Sequence, residues 1–187
     1  MNGYDFDQTI YDGNSFVDFY FYCLLRRLYI VLILPYQFIL SVLYVLHVLN
    51  RKQYKQAFHC YLFFVFGKMR LVDKFWQTRI KKIKAWYLAQ KKDDDVIVSA
   101  SPEFFLRPAC DKLGIKHLIA TDMDMRTGLI RGENCCRQCK VKMFQQRFGA
   151  DTQLASFYSD SKNDIPMMLL ARKKYFVDGN DIQEYQA

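Results

Sequence analysis

Between Leu28 and Leu49 the chain runs for 22 residues without a charge, and only Pro35, Gln37, Ser41 and His47 interrupt its apolar character. As a helix this stretch is about 33 Å long, enough to cross a bilayer. Arg26 and Arg27 stand before it, and Arg51, Lys52 and Lys55 after it. A return crossing would need a second stretch of about 20 apolar residues, and residues 57–67 are too short to supply one. Three folds satisfy the stretch: a single crossing, a helical hairpin kinked near Pro35 that dips into one leaflet, or burial within the protein.

Charge sharpens the question. Residues 51–92 hold twelve Lys or Arg against one acid, Asp73. The whole chain of 187 residues carries +8, so everything outside this block is net −3. A basic block of this kind suits an anionic partner, whether lipid headgroups, a phosphorylated substrate or nucleic acid, or is a solvated helix face; with the motifs below, no nucleic-acid partner is expected. Within it, Leu71, Val72, Phe75, Trp76, Ile80, Ile83 and Tyr87 recur at helical spacing, which predicts one amphipathic helix over residues 68–90. Such a helix either lies in a membrane interface or docks on a core.

From residue 93 the pattern changes to short apolar runs alternating with helical ones. Val96-Ile97-Val98-Ser99 reads as a buried parallel strand. Ser101 and Pro102 read as the cap and first residue of a helix that Gly114 ends. Further strands are expected over residues 116–121, 154–159 and 175–177, with a turn or hairpin over 123–132. Helices are expected over 137–148 and 165–171. With a strand over residues 2–6, this predicts an α/β fold: a parallel sheet with right-handed crossovers, flanked by helices. Residues 1–15 and 91–187 form its core. Residues 16–90 form an inserted helical module.

Several proposed strands end in polar residues. Asp5 and Asp7 lie two apart, on the same side of an extended chain. Ser99 ends the next strand, Asp160 and Asp164 follow a third, and Lys140 opens a helix between them. Carboxylates from separate strands make an oxygen-rich site suited to Mg²⁺. A lysine and a hydroxyl add donors for a phosphoryl group. The Asp122/Asp124 pair has Arg126 where Thr9 follows Asp7, and is not expected to act. Six irregularly spaced cysteines read as reduced thiols of a cytoplasmic protein. Cys136-Arg137-Gln138-Cys139 has no second pair to complete a zinc site. His47, His59 and His117 are scattered and read as structural.

The motifs Asp5-Phe6-Asp7-Gln8-Thr9, Val96 to Pro102, Gly132-Glu133-Asn134-Cys135 with Lys140 downstream, and Tyr158 to Asp164 resemble the haloacid dehalogenase superfamily. Their order and spacing are similar to its phosphoserine phosphatase-like branch, subfamily IB. Ser161-Lys162-Asn163 departs from the glycine-rich last motif of that branch. The resemblance implies a Rossmann-like core with an inserted helical cap over residues 16–90. It also implies a Mg²⁺-dependent phosphatase that hydrolyses a phosphate monoester. Asp5 would be the nucleophile that forms an aspartyl-phosphate, and Asp7 the general acid and base. Mg²⁺ would be held by Asp5, the main-chain carbonyl of Asp7, Asp160 and, through water, Asp164. Ser99 and Lys140 would bind the phosphoryl oxygens, with Thr9 positioning the loop. Lys142 competes with Lys140 for that role; on a helix the two point about 200° apart, so only one faces the site.

If Asp5 and Asp160 share one site, a single crossing between them is excluded, because it would put them on opposite sides of the bilayer. A one-leaflet hairpin or burial remains, and flanking positive charge favours the cytoplasmic face. An apolar cap joined to these motifs is similar to the C-type phosphatidylglycerophosphatase group, which makes a phospholipid the expected substrate. A soluble phosphoserine or small-metabolite phosphatase is the alternative. A non-catalytic membrane-associated binding protein on the same fold is the alternative of another class.

Overall fold

In a parallel strand buried on both faces, neighbouring side chains serve opposite layers. Val96 and Val98 point one way with Leu154 and Phe157, while Ile97 points the other way with Tyr4. The sheet built on this alternation is seen in a computed structural model that describes residues 1–185, without the side chains of Arg51 and Lys52. Its strands are β1 (Gly3–Tyr4), β2 (Val96–Pro102), β3 (His117–Thr121), β4 (Leu154–Ser159), β5 (Ala171–Asp178) and β6 (Asp181–Glu184). They lie in the order β3-β2-β1-β4-β5-β6, parallel except for β6. The chain moves outward in one direction from β1 to β3 and in the other from β4 onward. The crevice at the end of β1 is therefore a topological switch point, where open α/β sheets bind ligands.

Helices cover both faces. On one face α8 (Gln138–Phe148) and α9 (Ile165–Met168) pack Phe144, Met167 and Met168 onto Val98 and Phe157. On the other lies α7 (Glu103–Leu113), which ends as expected at the left-handed Gly114. The same face carries a ladder of stacked rings, Tyr4 on Tyr158 at 4.9 Å and Tyr158 on Tyr175 at 4.6 Å.

Between β1 and β2 the chain is helical: α1 (Ser15–Arg26), a 3₁₀ turn (Leu28–Ile33), α2 (Leu34–Val45), α3 (Arg51–Phe58), α4 (Tyr61–Phe64), α5 (Lys68–Arg79) and α6 (Ala85–Gln90). Phe19, Phe75 and Trp76 join Phe105 of α7 in one aromatic cluster, with ring centroids 5.0–5.5 Å apart. α1 and α5 thus share a core with the sheet.

The long apolar stretch is not a core helix. Only 17% of Leu28–Val45 is buried, so of the two alternatives left by the sequence, burial within the protein is not the one adopted. The chain changes from 3₁₀ to α at Leu34-Pro35, but its reversal lies at residues 46–50 rather than at the proline. There α3 turns back along α2, held by Gln37 Nε2 donating to the Phe58 carbonyl at 2.9 Å and by stacked Tyr44 and Tyr54.

Four local expectations are corrected. The predicted helix over 68–90 breaks at Ile80–Lys82, because Ile83 pairs with Tyr11 and the Lys84 N–H donates to the Ile10 carbonyl. β2 continues through Pro102, so Ser101 caps no helix. α9 stops at Met168, and β5 begins at Ala171, earlier than predicted. β6 was not foreseen. It returns on β5 through the two-residue turn Gly179-Asn180, whose glycine has φ 58°.

Candidate active site

Asp5 follows directly on β1, and its N–H still donates to the Tyr158 carbonyl at 2.9 Å, so its position is set by the sheet. Lys140, in the first turn of α8, is 2% exposed and places its ammonium 2.7 Å from both Asp5 Oδ1 and Asp164 Oδ2. Ser159 Oγ donates a further 2.7 Å hydrogen bond to the same Asp164 oxygen. Lys142 is exposed and pairs instead with Glu133, so Lys140 is the lysine that faces Asp5. Burial opposes the Lys140 charge, but the two carboxylates outweigh it and raise its pKa. Burial pushes the Asp5 carboxyl up to about 7 against the pull of Lys140.

Asp7 is held differently. Its Oδ1 accepts from the N–H and hydroxyl of Ser15 at 2.6 and 2.5 Å, at the start of α1, and its Oδ2 accepts from Ser101 Oγ at 2.5 Å. Burial still raises its pKa, although all three donors favour the charged form. Thr9 Oγ1 accepts from the Asp160 N–H at 3.0 Å and donates to Asp160 Oδ1 at 3.2 Å, tying the first loop to the end of β4. Ser99 Oγ accepts from the Ser101 N–H at 3.1 Å, which fixes the end of β2.

A cavity of about 460 Å³ joins Asp5, Asp7, Ser99, Lys140, Asp160 and Asp164. Every site residue predicted from sequence is therefore in this one cleft except Thr9, which lies behind Asp160. The helical segment supplies the opposite wall through Val17, Tyr20, Phe21, Lys55, Phe58 and His59. Sequence reasoning missed Ser15 and Ser101, whose hydroxyls bind Asp7. It also missed Lys55, which donates to the Ala100 carbonyl at 2.7 Å and to Asn134 Oδ1 at 2.9 Å. Lys84 was missed as well. It is buried and its ammonium bridges the carbonyls of Gln8 and Gly179. A serine directly after the cap residue Asn14, and another two residues after Ser99, were the only signals of the Asp7 partners.

Residues 3–169 match the family described as haloacid dehalogenase-like hydrolase. The chain belongs to that family. Among curated relatives, CicA of Caulobacter vibrioides is 34% identical over 84 residues, 42% of this chain and 38% of that protein. The histidinol-phosphatase of Neisseria meningitidis is 26% identical over 106 residues, 51% of this chain and 48% of that enzyme. The matched stretches span less than half the length of either relative. A Bordetella pertussis protein of unknown function superposes with a TM-score of 0.73 at 22% identity, covering 93% of this chain and 87% of that one. This last likeness shows the Rossmann-like fold.

The acids of the cleft could hold a divalent cation. Asp5, Asp7, Asp160 and Asp164 are four acids in a cleft where burial already penalises the Asp5 and Asp7 charges. Among the described residues, no three His, Cys, Asp or Glu side chains converge into a cage. Mg²⁺ suits such a partial set, since it keeps several waters and uses one or two carboxylates.

Proposed function

We propose that this hydrolase is a Mg²⁺-dependent phosphomonoesterase working through an aspartyl-phosphate on Asp5. The observation that carries the proposal is the division of labour between the two aspartates. Asp5 faces a lysine, whereas Asp7 is surrounded by hydroxyl and amide donors. The Asp5 carboxylate attacks phosphorus, and the bond from phosphorus to the leaving oxygen breaks. Asp7, whose pKa is raised by burial, protonates that oxygen. It then takes a proton from the water that hydrolyses the acyl phosphate. Lys140 and Ser99 hold the phosphoryl oxygens, and Thr9 keeps the loop in register with Asp160. Asp5, the Asp7 main-chain carbonyl and Asp160 would hold the Mg²⁺, with Asp164 supporting it through water. Bound there, the ion offsets repulsion between the carboxylates and the incoming phosphate.

The helices over residues 16–90 act as a cap in this reading, and a phospholipid such as phosphatidylglycerophosphate is the substrate. The support is the cleft wall of Val17, Tyr20, Phe21 and Phe58, which continues into the exposed apolar side chains of α1 and α2. That face rests on an anionic membrane surface at its cytoplasmic side. The test is phosphate release with Mg²⁺ over a panel of phosphorylated lipids and metabolites. Asp5→Asn should abolish turnover, and undiminished activity in that variant would refute the mechanism. Efficient hydrolysis of soluble monoesters with no liposome association would sink the lipid reading alone.

A further inference from the structure

A second cavity, about 640 Å³ and sharing no lining residue with the catalytic cleft, opens between α4–α5 and the hairpin over residues 123–130. We propose that it binds the headgroup of an anionic phospholipid that is not the substrate, and so seats the protein on one leaflet. The proposal rests on the reading that the apolar face meets a membrane, but not on the identity of the substrate.

The lining combines two chemistries. Phe63, Phe66 and Met125 supply an apolar wall, while Lys68, Arg70 and Arg126 supply three cations, and no acid is among the described lining residues. The nearest carboxylate on the hairpin, Asp124, is already engaged. It accepts from Arg131 at 2.5 Å and from the N–H groups of Arg126 and Thr127 at 2.7 and 3.1 Å. Desolvation lowers the Lys68 pKa and the nearby charge of Arg126 lowers it further, an effect that Asp124 offsets only in part. An anion between Lys68 and Arg126 would relieve that repulsion.

The position of the cavity selects the kind of anion. Phe63 and Phe66 are among the most exposed aromatics of the chain. α4 is joined to the 3₁₀ turn by a 2.8 Å hydrogen bond from the Tyr29 hydroxyl to the Phe64 carbonyl. The cavity therefore borders the apolar face that carries Leu28 and Leu32. A free phosphate ion makes no use of aromatic walls; a phosphate carrying acyl chains fills both parts. The leaflet lies on one side only, because Asp5, before the apolar stretch, is in contact with Lys140, beyond it.

The full chain is tested by flotation with phosphatidylcholine vesicles, with and without phosphatidylglycerol. Wild-type protein should favour the anionic vesicles. The Lys68→Ala/Arg126→Ala double variant should lose roughly 25-fold of that preference, about fivefold per cation near a charged leaflet. It should keep its binding to neutral vesicles and its hydrolysis of p-nitrophenyl phosphate. The equally cationic pair Arg172→Ala/Lys173→Ala, on β5, serves as control. An equal loss in the control, or an unchanged preference in the double variant, overturns the proposal. So does absence of vesicle binding by protein that hydrolyses p-nitrophenyl phosphate normally, or light scattering that finds a stable dimer covering the face. Vesicle binding that follows the expected pattern without any monoester hydrolysis would instead refute the phosphatase reading.

Discussion

Lys140 is the cation on which the buried charges of the cleft depend. Removing it leaves the buried Asp5 and Asp164 carboxylates without the cation they share. Breaking a buried ion pair from one side costs about 3–5 kcal/mol. Lys140→Ala should therefore lower the urea midpoint strongly as well as abolish phosphate release. Lys142→Ala, two residues on and paired with exposed Glu133, should leave both unchanged. The choice between these lysines was open in the sequence, because helical spacing says that one faces inward but not which. His59 gives a second prediction at this scale. Its Nδ1 is buried without a hydrogen-bond partner among the described residues, its ring packs edge-on against Phe16, and burial, aided by the Lys55 charge, holds its pKa down to about 3. The unfolded chain takes up a proton on this histidine near pH 6.5, while the folded chain does not. Stability from this residue is thus complete above pH 6.5 and falls as pH drops from there toward 3. Urea midpoints measured across that window should decline less steeply in His59→Asn than in wild type. Parallel slopes would show that His59 is not held neutral.

Helices and strands were legible in the sequence where they are decided locally, and illegible where a distant partner decides. The strand ends that carry Asp5, Ser99 and Asp160 follow from apolar runs punctuated by polar residues. The break at Ile80–Lys82 does not, since residues 68–90 are amphipathic throughout. It arises because Lys84 reaches the Ile10 and Gln8 carbonyls and Gly179. β6 is polar and exposed, so hydropathy passes over it, although Gly179-Asn180 was available as a two-residue hairpin signal. The Asp7 donors belong to this class as well, for Ser101 is 94 residues away in sequence. One contact between the helical segment and the hairpin over residues 123–130 is closed by a single glycine. Gly128 has φ 77°, and a Cβ there would stand 2.5 Å from the His59 carbonyl oxygen. The left-handed backbone alone costs a side chain about 1–2 kcal/mol, and the neighbour is backbone that cannot swing away. Gly128→Ala should lower the unfolding midpoint by more than that cost. Gly132→Ala, also at positive φ but in open space, should show the backbone cost alone.

At the scale of the molecule, the unusual feature is how the apolar surface is distributed. The sheet, α1 and α5 share buried cores, yet Leu25, Leu32 and Phe38 are 81%, 82% and 71% exposed and adjoin further uncovered side chains along α2. Soluble monomers rarely expose contiguous apolar patches beyond a few hundred Å². The length of residues 28–49 was evident from sequence, but its exposure was not, because hydropathy is the same for a helix inside a core and one on a surface. Exposure separates stability from association. Leu25→Ser/Leu32→Ser replaces side chains that are mostly exposed, so its unfolding free energy should stay within about 0.5 kcal/mol of wild type. In acyl chains each leucine would gain about 1.5–3 kcal/mol, so partition into neutral vesicles should fall at least tenfold per residue. Phe19→Ser, in the aromatic cluster beneath α1, should do the reverse in degree, unfolding the protein before vesicle binding is in question. If the two leucine changes destabilise the chain and leave vesicle binding intact, the face is closed over by protein and the leaflet assignment falls with it.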